Sequence, residues 1–146
     1  MRILFATFGS LGDLHPVLAV ALELRRRGHE IAIATVASYR EKIGALGLGF
    51  HVLRPELSLS DEKLVRQIVD SPRGPEFLLR EILLHNVAAM HADLAAAAAG
   101  VDLLVTSELV YAAPIVSEQL ALPWVSTRSR RCRIFRCTIR RCHPCP

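Results

Sequence analysis

The chain has 146 residues, 51% of them apolar, and a formal net charge of +4. That length holds one domain with a proper core, and no apolar run reaches the roughly 18 residues that a membrane span needs. Seven of the eighteen Lys and Arg lie in residues 128–146, which hold no acid; the remaining eleven face fourteen Asp and Glu in residues 1–127, so the body is at −3 and the tail at +7. A case for nucleic-acid binding would rest on that tail alone, and no nucleic-acid partner is expected. The amino terminus has one Arg and a short apolar run that meets a glycine turn at once. It lacks a signal-peptide layout, which makes the cytoplasm the expected compartment.

Ile3 to Phe8 has the length and the β-branched and aromatic content of a buried strand. Gly9-Ser10-Leu11-Gly12-Asp13-Leu14-His15-Pro16 follows it. Gly9 and Gly12 let the backbone turn sharply and leave room for a ligand. Asp13 and His15 then stand where an α/β protein places acid/base groups, at the carboxyl edge of its sheet. The plain alternative is a strand–turn–helix connection in which Asp13 or His15 is a solvated cap.

Pro16 fits a first helical position, and Val17, Leu18, Val20, Ala21 and Leu24 predict a helix over 16–28 stopped by Gly28. Arg25 to Arg27 read as solvated helix-end charge. Glu30 to Thr35 predicts a second strand, 38–46 a short helix closed by Gly47 and Gly49, and Phe50 to Leu53 a third strand. Leu57 to Val69 predicts a helix opened by Ser60-Asp61-Glu62 and broken by Ser71 to Pro75. Residues 76–99 predict the longest helix, with Phe77, Leu78, Ile82, Leu83, Val87, Met90 and Leu94 on one face. His85 and His91 lie six apart on it, poor spacing for a shared metal. Val101 to Thr106 is a fourth strand, Leu109 to Leu120 a helix and Pro123 to Ser126 a fifth strand. Repeated β-α-β units imply an α/β fold with a parallel sheet and right-handed crossovers.

From Arg128 the composition changes, and Cys132, Cys137, Cys142 and Cys145 all fall here. Cys142-x-x-Cys145 is a zinc half-site, but the other two cysteines are five apart, unlike paired knuckles. Disulfides conflict with the expected compartment, and an RNA-binding basic tail is the remaining functional reading. We expect instead that the natural sequence stops near Thr127 and that residues 128–146 are an aberrant, disordered, out-of-frame read of a GC-rich gene.

Gly9-Ser10-x-Gly12-Asp13-x-His15-Pro16, Ala19 to Leu24, and Arg27-Gly28-His29-Glu30-Ile31-x-Ile33-Ala34-Thr35 together resemble the N-terminal domain of a GT-B glycosyltransferase. The likeness is to the bacterial group that merges family-28 and UDP-glucuronosyl-, sterol- and macrolide-type enzymes, rhamnosyltransferases of glycolipid synthesis among them. Leu104-Val105-Thr106 through Glu118 and Leu122 to Thr127 match its last N-domain elements, so the resemblance covers residues 1–127.

The resemblance implies two facing Rossmann-like domains, of which residues 1–127 form the acceptor-holding N-terminal one: a parallel sheet flanked by helices. It implies an inverting, metal-independent transfer of a hexosyl group from a nucleotide-sugar such as a UDP- or dTDP-hexose. No cofactor is implied beyond that co-substrate. The acceptor would be a lipid or hydrophobic small molecule, which leaves peripheral membrane association open. The base follows the second loop glycine and here is Asp13, with His15 orienting the acceptor or sharing proton transfer. Gly9, Ser10 and Gly12 would bring acceptor and donor phosphates near the helix N-terminus. Plant-type members place a supporting acid where this chain has Ser107, and the adjacent Glu108 becomes polar lining. The variable segment 54–80 would shape the acceptor pocket. The donor-binding domain, with its Glu/Asp–Gln signature, is missing, so the chain is expected to be an acceptor-side half that is inactive alone.

Two rivals remain. A dinucleotide-binding Rossmann domain predicts Gly-x-Gly-x-x-Gly and an acid closing the second strand, whereas this chain has Gly-x-x-Gly and Ala34-Thr35-Val36-Ala37. A non-catalytic auxiliary or pseudogene product would bind lipid or polyketide acceptors without turnover. A P-loop is excluded, since no Gly-Lys-Ser/Thr follows the glycines.

Overall fold

A computed structural model describes residues 1–56, 62–128 and 136–140. Strand β1 (Arg2–Ala6) is exposed only at Arg2 and buried from Ile3 to Ala6, as a continuous apolar run at the centre of a parallel sheet should be. It pairs in parallel with β2 (Glu30–Thr35), Phe5 opposite Ile33, and on its other edge with β4 (Leu103–Ser107), Leu4 opposite Leu104. β3 (Gly49–Val52) extends the sheet beyond β2, and β5 (Trp124–Arg128) extends it beyond β4, both in parallel. The order β3-β2-β1-β4-β5 therefore changes direction between β1 and β4. In open sheets of this kind, ligands bind at the carboxyl edge of that gap.

Helix α1 (Leu11–Arg26) starts five residues earlier than the periodicity predicts. Ser10 is its N-cap and Asp13 its third residue, and the two form a reciprocal capping box. Pro16 is thus inside the helix rather than at its start, where it cannot donate to the carbonyl of Gly12. Leu14, Val17, Leu18 and Ala21 turn inward. Burying a side chain such as Leu14 contributes about 1.5–3 kcal/mol. At the other end, Arg26 and Arg27 both bond Glu23, whose carboxyl is pulled down to about 2 by them, and Arg25 donates to Leu46 O. The arginine triplet is exposed helix-end charge, as expected.

A single 3₁₀ turn (Ala37–Tyr39) leads into α2 (Arg40–Ala45). Helix α3 (Glu62–Val69) follows, and residues 57–61 of that predicted helix lie outside the described residues. The single helix expected over 76–99 is divided. It runs as α4 (Gly74–Phe77), a π-helical stretch (Leu78–Leu84) and α5 (Val87–Ala97), so α1 with 16 residues is the longest described helix. The break has a physical reason: the Asn86 side-chain amide donates to Ile82 O at 2.8 Å, in place of a main-chain N–H. Met90 and Leu94 of α5 still reach the core with Leu83, all at 1% exposure or less. His85 is exposed, while His91 Nε2–H donates to Gln119 Oε1 at 2.7 Å and so ties α5 to α6 (Ala113–Gln119).

Of the tail, residues 136–140 form β6 (Arg136–Arg140), antiparallel to β5 with Trp124 opposite Arg140. They take up hydrogen bonds that the edge of β5 would otherwise leave open. Cys132, Cys142 and Cys145 lie outside the described residues. Beside α1, an open apolar groove runs over β4 and β5, lined by Val17, Val20, Leu24, Leu103, Val105 and Val125.

The excursion between β3 and α5 is closed at its neck. Arg54 bonds Asp93 through its backbone N (3.0 Å), Nε (2.8 Å) and Nη2 (2.6 Å). The guanidinium holds the Asp93 carboxyl below its ordinary value of 3.8. A depressed carboxyl stabilises the fold above its unfolded value and loses that contribution as pH falls through the folded one. Asp93→Asn should therefore lower the urea midpoint at neutral pH, and the gap from the wild-type chain should close below about pH 3.8. Gly9 has φ +139°, and a Cβ there would overlap Asp13 Oδ2. Gly9→Ala should destabilise by about 1–3 kcal/mol in chemical denaturation, with loss of the cap.

Candidate active site at the switch point

The loops after β1 and β4 part at the carboxyl edge, and a cleft opens between them. It is lined by Phe8, Asp13, Pro16 and Val17 from the first β-α unit, Ser107 closing β4 with Glu108 and Leu109 after it, and Thr127 one residue before the end of β5. The two loops are stitched together by a long hydrogen bond from Phe8 N to Ser107 Oγ, 3.4 Å. Thr127 Oγ1 donates to Thr106 O at 3.0 Å and Trp124 Nε1 to Thr106 Oγ1 at 2.8 Å, so the floor of the cleft is internally bonded.

Asp13 is half-buried, and both hydrogen bonds to its carboxylate land on one oxygen. Ser10 N–H reaches Oδ2 at 2.9 Å and Ser10 Oγ–H reaches it at 3.1 Å. Oδ1 has no hydrogen-bond partner among the described residues. Ser10 Oγ also accepts from Gly12 N at 3.2 Å. Ser10 and Gly12, expected to meet substrate, are thus engaged in holding the start of α1. Tyr39 closes the other side of the loop, its hydroxyl donating to Gly9 O at 3.4 Å. Burial, and then the nearby Asp13 carboxylate, push that hydroxyl above its ordinary range.

The structure brings Asp13, Ser107 and Glu108 into one cleft and leaves His15 out of it. His15 is exposed, and its Nε2 lies 2.7 Å from Lys42 Nζ of α2; accepting from the ammonium requires that nitrogen to be unprotonated. The reason is helical geometry: two residues on from Asp13, a side chain turns to a different face of α1. Phe8, Leu109, Thr127 and Tyr39 were not anticipated. Thr127 could have been found from its place closing the fifth strand, whereas Tyr39 carries no signal beyond one aromatic residue after the second strand. Among the described residues, no group of three or more His, Cys, Asp and Glu is placed to hold a metal ion. No described helix is long and apolar enough to cross a membrane. β2 ends in buried Thr35 followed by Val36, without the acid that a dinucleotide ribose would need.

Comparison with known proteins agrees with this fold. Residues 3–131 match the Glycosyltransferase family 28 N-terminal domain. The chain is 30% identical to glycosyltransferase GtfE of Amycolatopsis orientalis over 128 residues, 85% of this chain and 30% of that protein. The crystal structure of glycosyltransferase SnogD from Streptomyces nogalater superposes with a TM-score of 0.64 at 26% identity, over 88% of this chain and 34% of that one. The calicheamicin glycosyltransferase CalG4 shares the fold, with a TM-score of 0.67 at 22% identity over 87% of this chain and 32% of that one. The chain thus spans roughly a third of the length of these relatives. With a parallel sheet flanked by helices and a matching family signature over most of its length, this chain belongs to glycosyltransferase family 28, as its N-terminal domain.

Proposed function

We propose that the chain is the acceptor-binding half of an inverting, metal-independent glycosyltransferase that moves a hexosyl group from a nucleotide-sugar to a lipid or small-molecule hydroxyl. The observation that carries this reading is the Asp13 carboxylate, held at the switch point with Oδ2 bonded and Oδ1 turned to no described partner. In this reading Oδ1 takes the proton from the acceptor hydroxyl as its oxygen bonds to the anomeric carbon. The bond from that carbon to the nucleotide's phosphate oxygen breaks on the opposite face, and configuration inverts. Phe8, Pro16, Val17 and Leu109 give the cleft an apolar wall, which suits a hydrophobic alcohol. Ser107 and Glu108 supply polar lining. In this reading proton transfer is assigned to Asp13 alone, since His15 Nε2 lies 2.7 Å from Lys42 Nζ and His15 does not line the cleft.

The 146 residues span roughly a third of their relatives' length, and the donor is read as binding in the remaining part, so these residues by themselves are read as inactive. Calorimetric titration of the purified chain with UDP-glucose, dTDP-rhamnose and NADH should show no saturable binding. Binding of NADH would instead favour a dinucleotide site. Once the chain is completed with a donor-binding domain, Asp13→Asn should lower kcat by about 100-fold. Near wild-type turnover in that variant would remove Asp13 from the base role.

A further inference from the structure

We propose that Tyr39 is a positioning residue for Asp13, acting through a single peptide group. The proposal rests on the reading of Asp13 as the base for its consequence, though not for its geometry. The carbonyl of Gly9 and the N–H of Ser10 belong to the same planar amide. Tyr39 donates its hydroxyl proton to that carbonyl at 3.4 Å, and Asp13 Oδ2 accepts from that N–H at 2.9 Å. The amide is therefore pinned at both ends, and rotating it would break both bonds together.

Three observations support this link. Tyr39 is only 7% exposed, so its ring is fixed in the core by packing and its hydroxyl has little freedom to leave Gly9. Gly9 has φ +139° and no Cβ, so nothing in its own side chain restrains the plane, and restraint has to come from outside. The two bonds also run in sequence, hydroxyl to carbonyl and amide to carboxylate. Polarisation by the first strengthens the second. Oδ2 is thereby kept as the fixed oxygen, which leaves Oδ1 as the oxygen without a hydrogen bond among the described residues. Tyr39 lies outside the glycine motif, 26 residues beyond Asp13 in the chain. It reaches the loop because β1 and β2 are parallel neighbours whose carboxyl ends emerge side by side.

The test is nuclear magnetic resonance on the chain itself. Tyr39→Phe keeps the ring and removes only the donor. The Ser10 amide proton should move upfield and exchange about threefold faster or more. The Asp13 carboxyl carbon should shift with it, while the Leu4 and Leu104 amides in the sheet stay unchanged. The chain has two tyrosines, and the other, Tyr111, is exposed. Replacing both by 3-fluorotyrosine at mildly acidic pH makes the hydroxyl a stronger donor and should move the Ser10 proton downfield. Shifts in opposite directions support the proposal. A Ser10 signal that stays still in both, or moves the same way in both, overturns it. If the phenylalanine variant does not fold, the direction of the fluorotyrosine shift decides alone. The turnover of Asp13→Asn reports what the carboxylate does and these signals report what holds it, so either can fail while the other stands.

Discussion

Everything at the candidate site follows from the pairing of β1 on both edges, with β2 on one side and β4 on the other. A central parallel strand sends its own chain away in one direction while the connection from β3 returns on the other side of it. The two loops at its carboxyl end must then diverge, and the gap cannot be filled by either. Phe8, Asp13, Ser107 and Glu108 stand around that gap because they occupy the first residues after β1 and the boundary of β4. The buried run Ile3 to Ala6 holds the arrangement by burial on both faces of the sheet. The long Phe8–Ser107 bond limits how far the loops can part.

At the start of α1, one carboxylate caps the helix and, in the proposed reading, is also the base. As the third residue of a capping box, Asp13 satisfies a backbone N–H that would otherwise be orphaned at the helix terminus, a service of about 1 kcal/mol. A structural cap and a catalytic base are often treated as competing explanations of an acid in this position. Here both hydrogen bonds use Oδ2, so they do not compete for the same oxygen. The cap also restricts the side chain to one orientation, which is the kind of preorganisation that proton transfer requires.

The sheet was legible because buried parallel strands are written as unbroken apolar runs with glycine, proline or charged boundaries. Ile3 to Ala6, Ile31 to Ala34 and Leu103 to Val105 are such runs, each opened by a charged residue, Arg2, Glu30 and Asp102. Periodicity misplaced the start of α1 because the apolar repeat begins near Val17, whereas the cap that starts the helix is a pairing of polar side chains at Ser10 and Asp13. It also ran Phe77 to Leu94 together, since a π-helical stretch keeps apolar residues inward while changing the hydrogen-bond spacing. Asp13 could be placed at the rim from local spacing. The separation of His15 from it could not, because the periodicity starts the helix at Pro16 and leaves both residues in a loop, whereas α1 begins at Leu11 and turns them to different faces. Tyr39 was out of reach for a different reason: its partner is a main-chain carbonyl thirty residues away, and a sequence motif records side chains rather than the peptide groups they grip.

The doubly held amide between Gly9 and Ser10 also bears on how this loop can be moved between proteins. Gly9 makes space for Asp13, Ser10 orients it, and Tyr39 arrives from the neighbouring crossover to hold the plane. A transplanted glycine motif would carry three of the four members and leave its anchor behind. Engineering that recombines such domains should keep the segment through the second crossover intact, since a cut placed after β2 would sever a unit that is contiguous only in space.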